Sequence, residues 1–368
     1  MAEHAADFEW CGEGEDAEVV VYAPDSTVAG WAFEQALPAA RLPGVVSPVY
    51  AASSRLAGVA SGFGWVAASE THLAPDLISA PEWGVLLVAD APLEGIGLPE
   101  EVPRLVSRRL SEIALPNIGE AGIRRVTESG ALWAAEEGLI EEEDLPLFAQ
   151  KAGDADTLGR RSLSAGRRDW TKLGEVHGMR VAEILDTEGA EELGLDPGAL
   201  TFVVSTGAED LGRLALVGHR ERLLARATSG DFGAPVDLPA APADTEEAKD
   251  LLVAIGATAN YAAGRAALTL YAFRWALRDA GTLRLRAAWT VGGFGERDGW
   301  VLHRNNLAAA ATEEALVAEQ TVAAGTGEML GSAPAFDVAE DDGRWPWEEA
   351  GILTRRAILE PLGNGPST

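Results

Sequence analysis

The chain has 368 residues, 47% hydrophobic and 24% charged, which is a globular composition with material for a substantial core. Its 58 acidic against 29 basic residues give a net charge of −29, which opposes binding of a phosphate backbone except on a local basic face. A single cysteine, Cys11, excludes an intramolecular disulfide and a thiolate-rich zinc site, and the absence of a long unbroken apolar run speaks against a membrane-spanning helix.

In chain order, the acidic opening MAEHAADFEW has no apolar centre, so no secretory signal is expected and the expected location is cytoplasmic. Ala17 to Tyr22 has the β-branched character of a buried strand, and Ala29 to Arg41 has helical spacing. Val45 to Ala51, Gly64 to Ala68 and Gly84 to Ala89 fit short strands. Glu100 to Leu115 reads as an amphipathic helix whose apolar face carries Val102, Leu105, Leu110, Ile113 and Leu115. Gly130 to Leu139 reads as helix and ends in the acidic run Glu141 to Asp144, expected as a solvated surface.

Thr201 to Val204 is expected as a strand turning at Ser205-Thr206-Gly207 into a helix over Asp210 to Thr228. Residues 229–244, rich in Pro, Gly and Ala, read as an exposed loop. Asp244-Thr245-Glu246-Glu247 predicts a helix start, and a long helix should run from there to about Arg278. Leu283 to Val291, Gly299 to Leu302 and Gln320 to Ala324 suggest late strands, with Gly292-Gly293-Phe294-Gly295 in a hairpin connection. Asp337 to Glu349, with Trp345 and Trp347, reads as a solvated loop. No repeat and no sharp composition change divides the chain, so one mixed α/β domain over residues 1–368 is expected.

Basic residues cluster at Arg104, Arg108, Arg109, Arg124 and Arg125, and again at Arg160, Arg161, Arg167 and Arg168. Ordinary helix-surface and salt-bridge duty is one reading of these clusters; a local basic patch is the other.

Several segments share a frame. Leu42 to Asp90 carries Ser53-Ser54-Arg55-Leu56-Ala57-Gly58 and Glu82-Trp83-Gly84-Val85-Leu86. Ser162 to Val176 reads SLSAGRRDWTKLGEV, Ser205 to Gly212 reads STGAEDLG, and Ala254 to Ala267 reads AIGATANYAAGRAA. Trp289-Thr290, the segment Trp300 to Asn306, and Gln320 to Ser332 follow. In colinear order these resemble the RtcB-type RNA ligases, which join a 3'-phosphate to a 5'-hydroxyl with manganese and GTP. The matches are framework residues: Gly166, Trp170, Gly207, Leu211, Gly212, Asn260, Tyr261, Ala262 and Arg265.

The chemistry-bearing positions differ. Val85 stands for the family's Cys ligand, Ser205 for one metal His, and Trp289 for another. Arg168 and Asp169 stand where the family has Asn and a metal His, Lys172 replaces a Glu, and Glu209 replaces an Arg. Gly264 replaces an Asn, and Asn305 replaces a Lys beside His303 and Arg304. No histidine follows His303, so the resemblance implies that the nucleophile receiving the guanylyl group is missing.

The resemblance thus implies an RtcB-like mixed α/β fold and a catalytically silent relative, with no catalytic residue and no cofactor expected. RNA ends or a phosphate would be held by Asn260, Arg265, His303 and Arg304, or an active ligase relative would be the regulated partner. A second reading is an acidic interaction protein that meets a basic partner without binding RNA. A third is an enzyme, either a GTP- and manganese-dependent ligase with relocated ligands or a magnesium-dependent activity using Glu82 and Asp169.

Overall fold

The computed structural model describes residues 8–13, 17–23, 26–53, 63–89, 102–110, 112–170, 178–184, 200–297, 300–310 and 354–359. The first strands are β1 (Phe8–Glu13) and β2 (Glu18–Ala23), followed by helix α1 (Ser26–Ala40), β3 (Val45–Ser53), β4 (Phe63–Ser69), β5 (His72–Leu73) and β6 (Glu82–Ala89). Helices α2 (Val102–Leu110), α3 (Glu120–Ser129), α4 (Ala131–Glu136) and α5 (Gly159–Trp170) come next. Then come β7 (Gly178–Ile184), β8 (Leu200–Gly207), α6 (Glu209–Thr228), β9 (Ala241–Pro242) and α7 (Glu246–Leu277). Strands β10 (Leu283–Arg297), β11 (Trp300–Ala310) and β12 (Thr354–Leu359) complete the described elements.

The fold is mixed α/β. Ten strands of the described residues form one sheet in the order β1-β2-β3-β4-β11-β10-β6-β8-β7-β12, and β5 pairs with β9 beside it. Pairing is antiparallel except between β2 and β3, which α1 connects as a crossover.

Helix α7 lies against β6, β8 and β10 and also packs on α2, α3, α4 and α6. Thr245 caps it: its hydroxyl accepts a hydrogen bond from Ala248 N at 3.3 Å. From Ala254 to Leu270 every residue is buried, so this helix has no solvent face there. It is long and apolar enough to cross a membrane, yet 89% of that stretch is buried within the protein, which makes it the core helix. Small residues permit the approach. A Cβ at Gly256 would run into the carbonyl of Ala152. Aromatic rings fill the remaining space. Trp170 sits between Trp133 and Tyr261, with ring centroids at 5.2 and 5.7 Å, and Trp83 meets Phe148 at 5.4 Å. Their polar ends are satisfied by backbone: Trp83 donates to Ala259 O, Trp170 to Pro116 O and Tyr261 to Gly166 O.

The expected strands and helices of the first ninety residues, α6 and α7 all form, while other segments differ from the sequence reading. The helix expected to Leu115 ends at Leu110; Ile113 and Leu115 still pack on the core, from an extended segment that Pro116 enforces on its predecessor. Helices α3 and α5 form where no helix was read. The run Glu141 to Asp144 is not wholly solvated, because Asp144 turns inward to Arg274. The 229–244 loop buries Phe232, Leu238, Ala240 and Ala241, so it is a docked segment rather than an exposed one. Gly292 and Gly293 lie inside β10 and not in a hairpin connection. With φ of +73° and +75° they form a bulge that lets Gly293 N donate to Ser79 O at 3.1 Å. Lys172 and residues 311–353, including the expected strand at 320–324 and the Asp337 to Glu349 segment, lie outside the described residues.

Candidate functional site

The polar residues singled out in the sequence sit at four separate places around α7 and β11. Asn260 projects from α7 toward the end of α3. Its Nδ2 donates to the carbonyls of Thr127 (3.1 Å), Glu128 (3.2 Å) and Lys151 (2.9 Å), while its Oδ1 accepts from Lys151 N at 3.0 Å. Thr127 and Glu128 belong to the last turn of α3, whose carbonyls have no helical partner, so the side chain closes that helix end. Both amide protons are engaged. Asn260 also borders a cleft of about 130 Å³ lined by Ser129, Leu132, Leu145, Phe148 and Ala263, but it presents no spare donor to that space.

Arg265, five residues further along α7, is 1% exposed and donates through Nη1 to Gly207 O at 3.0 Å. Glu82 comes to the same glycine from β6: a Cβ at Gly207 would stand 2.8 Å from Glu82 Cγ. The structure therefore brings Glu82 and Arg265 together at the end of β8, where the chain enters α6. Asp169 is 2% exposed and lies on the inner face of α5 beside Trp170.

His303 and Arg304 are adjacent on β11 and do not join that group. Nε2 of His303 accepts a hydrogen bond from Ala74 N at 3.1 Å, which requires the neutral ring with its proton on Nδ1. Nδ1 is buried and has no hydrogen-bond partner among the described residues. The ring stands edge-on to Phe294 at 5.1 Å. Burial pushes its pKa down to about 4, with backbone groups of Ala67 and Val301 offsetting a part. Arg304 Nη2 donates to Phe294 O at 3.0 Å, and its own carbonyl accepts from Ser79 N. Each of the four residues proposed to meet phosphate is thus at most 6% exposed and bonded to the chain's own backbone.

No family model matches this chain, and no curated protein matches it.

A two-manganese centre needs imidazole and carboxylate donors converging on one point. At the three positions where the resemblance would place ligands stand Val85, Ser205 and Trp289, and neither valine nor tryptophan has a donor to give. The described histidines are dispersed. His72 meets Thr71 Oγ1 at 2.9 Å, and His303 is fixed on Ala74 N. His219 lies on α6 with Arg222 Nη2 at 2.8 and 2.9 Å from its ring nitrogens. Burial first, and the Arg222 charge second, lower its pKa to about 4. Among the described residues no three His, Cys, Asp or Glu side chains come together as a metal-binding group.

One buried charge pair was invisible in the sequence. Arg274, on the last turn of α7, takes both oxygens of Asp144 through Nη1 and Nη2, the latter at 3.0 Å, and donates Nε to Leu283 O at 2.9 Å. The carboxylate and the start of β10 are tied to α7 by one guanidinium, a fork geometry that Lys cannot reproduce. Two charges 130 positions apart give no local signal of this pairing.

Proposed function

We propose that this protein is a non-catalytic relative of the RtcB-type RNA ligases that acts by binding, either to RNA or to an active ligase partner. The observation that carries the reading is the commitment of the retained polar residues to the fold. Asn260 closes α3, Arg265 holds the β8–α6 turn, and His303 and Arg304 anchor the segment around Ala74 to Ser79. Their retention alongside altered ligand positions suits a scaffold that outlived its chemistry. The same burial argues against these four as the contact with RNA ends, so a binding surface lies elsewhere on the molecule.

The test is incubation with GTP and manganese followed by intact mass measurement. The expected result is an unchanged mass and no joined RNA. A mass gain of one guanylyl unit would restore the ligase reading. The net charge of −29 favours the second reading, a basic protein partner with no RNA affinity. Titration with RNA ending in a 3'-phosphate at low salt separates the two, since binding that weakens steeply with salt belongs only to the first.

A further inference from the structure

Helix α5 buries Ser162, Leu163, Ala165, Gly166, Asp169 and Trp170 and exposes Arg160, Arg161, Ser164, Arg167 and Arg168. At 3.6 residues per turn the exposed five fall within an arc of about 120°, and Arg160 and Arg167 are about 10 Å apart along the axis. The face is therefore an unbroken strip of guanidinium groups with one small hydroxyl among them. Arg168 donates to Ser164 Oγ at 3.3 Å.

The side chains of Arg160, Arg161 and Arg167 have no hydrogen bond or ion pair with any described residue. Arginines elsewhere behave differently. Arg124 pairs with Asp156, Arg125 with Glu136 and Glu137, Arg213 with Asp210, Arg220 with Asp76 and Arg226 with Asp231. Arg109 and Arg222 also lack an acid, but each bonds another group of the chain, Ala276 O and the His219 ring, whereas the three side chains on this helix face bond nothing among the described residues.

We propose that the outer face of α5 binds the phosphate backbone of single-stranded RNA. The inference deepens the non-catalytic binding reading above and rests on it for the choice of ligand. Two features select a phosphate backbone over a protein surface. Protein interfaces centre on buried apolar or aromatic anchors, and this strip offers none. A row of fork-shaped donors matches successive phosphates, which accept bidentate bonds. The contact reads no sequence.

The experiment is a fluorescence-anisotropy titration of the full chain with a labelled oligouridine of about 20 nucleotides over a salt series from about 50 mM. Two variants with equal charge loss are compared, Arg160→Ala/Arg167→Ala on the strip and Arg213→Ala/Arg278→Ala away from it, with thermal melts to confirm folding. The expected result is that the strip variant binds about tenfold more weakly and its salt slope falls by about 1.4, the release from two single-strand phosphates. The control variant should follow the unmodified protein. Absence of binding by the unmodified protein at low salt would overturn the site, as would equal losses in both variants. Polyglutamate displacing the RNA as well as polyphosphate does would overturn the phosphate assignment. A guanylyl adduct in the mass experiment would end the non-catalytic reading while leaving the strip result intact.

Discussion

Replacing His303 by Gln should remove an acid sensitivity built into the sheet. The ring's pKa falls from an ordinary 6.5 to about 4 on folding, because burial disfavours the imidazolium and Nε2 is already an acceptor for Ala74 N. A depressed folded-state pKa makes the unfolded chain the tighter proton binder. The stability this group contributes is thus complete above the unfolded value, erodes as pH drops below 6.5, and is fully lost near 4. Between about pH 7.5 and about pH 5.0 the difference comes to about 2 kcal/mol for this one residue. Gln keeps an acceptor for Ala74 N and cannot titrate in this range. Urea unfolding of both proteins at the two pH values gives the difference directly. His219, with its pKa lowered to about 4, adds a slope of the same sign, so the variant should lose part of the acid sensitivity and not all of it. Equal pH dependence in His303→Gln and the unmodified protein would refute the assignment of a neutral, buried imidazole.

Two further outcomes concern the core. Asp144→Ala should lower stability by about 2–4 kcal/mol, measured as a shift of the urea midpoint, because Arg274 is left partly buried without its carboxylate. Gly256→Ala should destabilise by about 1–3 kcal/mol in the same assay, since the new methyl meets the backbone carbonyl of Ala152 and not a side chain that can turn away.

The parts of the fold that were legible in the sequence are those whose signals are local. Thr245 before two glutamates marks the start of α7, and a dense run of small and apolar residues marks its length. The continuous β-branched run of Glu18–Ala23 marks β2 in the same way. Helix α5 was hidden because Gly159, Gly166 and its serines are poor helix formers, and its buried side carries only Leu163 and Trp170 as large apolar residues among Ser162, Ala165, Gly166 and Asp169. The Gly292-Gly293 pair carries the usual signature of a turn, and only contact with Ser79 makes it a bulge. The candidate site divides likewise. Residue identity singled out Asn260, Arg265, His303 and Arg304 as polar candidates, but not that they face inward. That depends on partners such as Thr127, Gly207, Ala74 and Phe294, each fixed by tertiary packing.

The placement of β6 between β8 and β10 bears on biosynthesis. Both neighbours are made after it, one completed at Gly207 and the other at Arg297. A nascent chain halted before Leu200 therefore carries Glu82–Ala89 with two open hydrogen-bonding edges and an apolar sequence, which is a template for intermolecular pairing. Assembly of the sheet centre waits on ribosome progress past the hairpin of β10 and β11, so slow translation or premature termination in that interval would favour aggregation over a stable fragment.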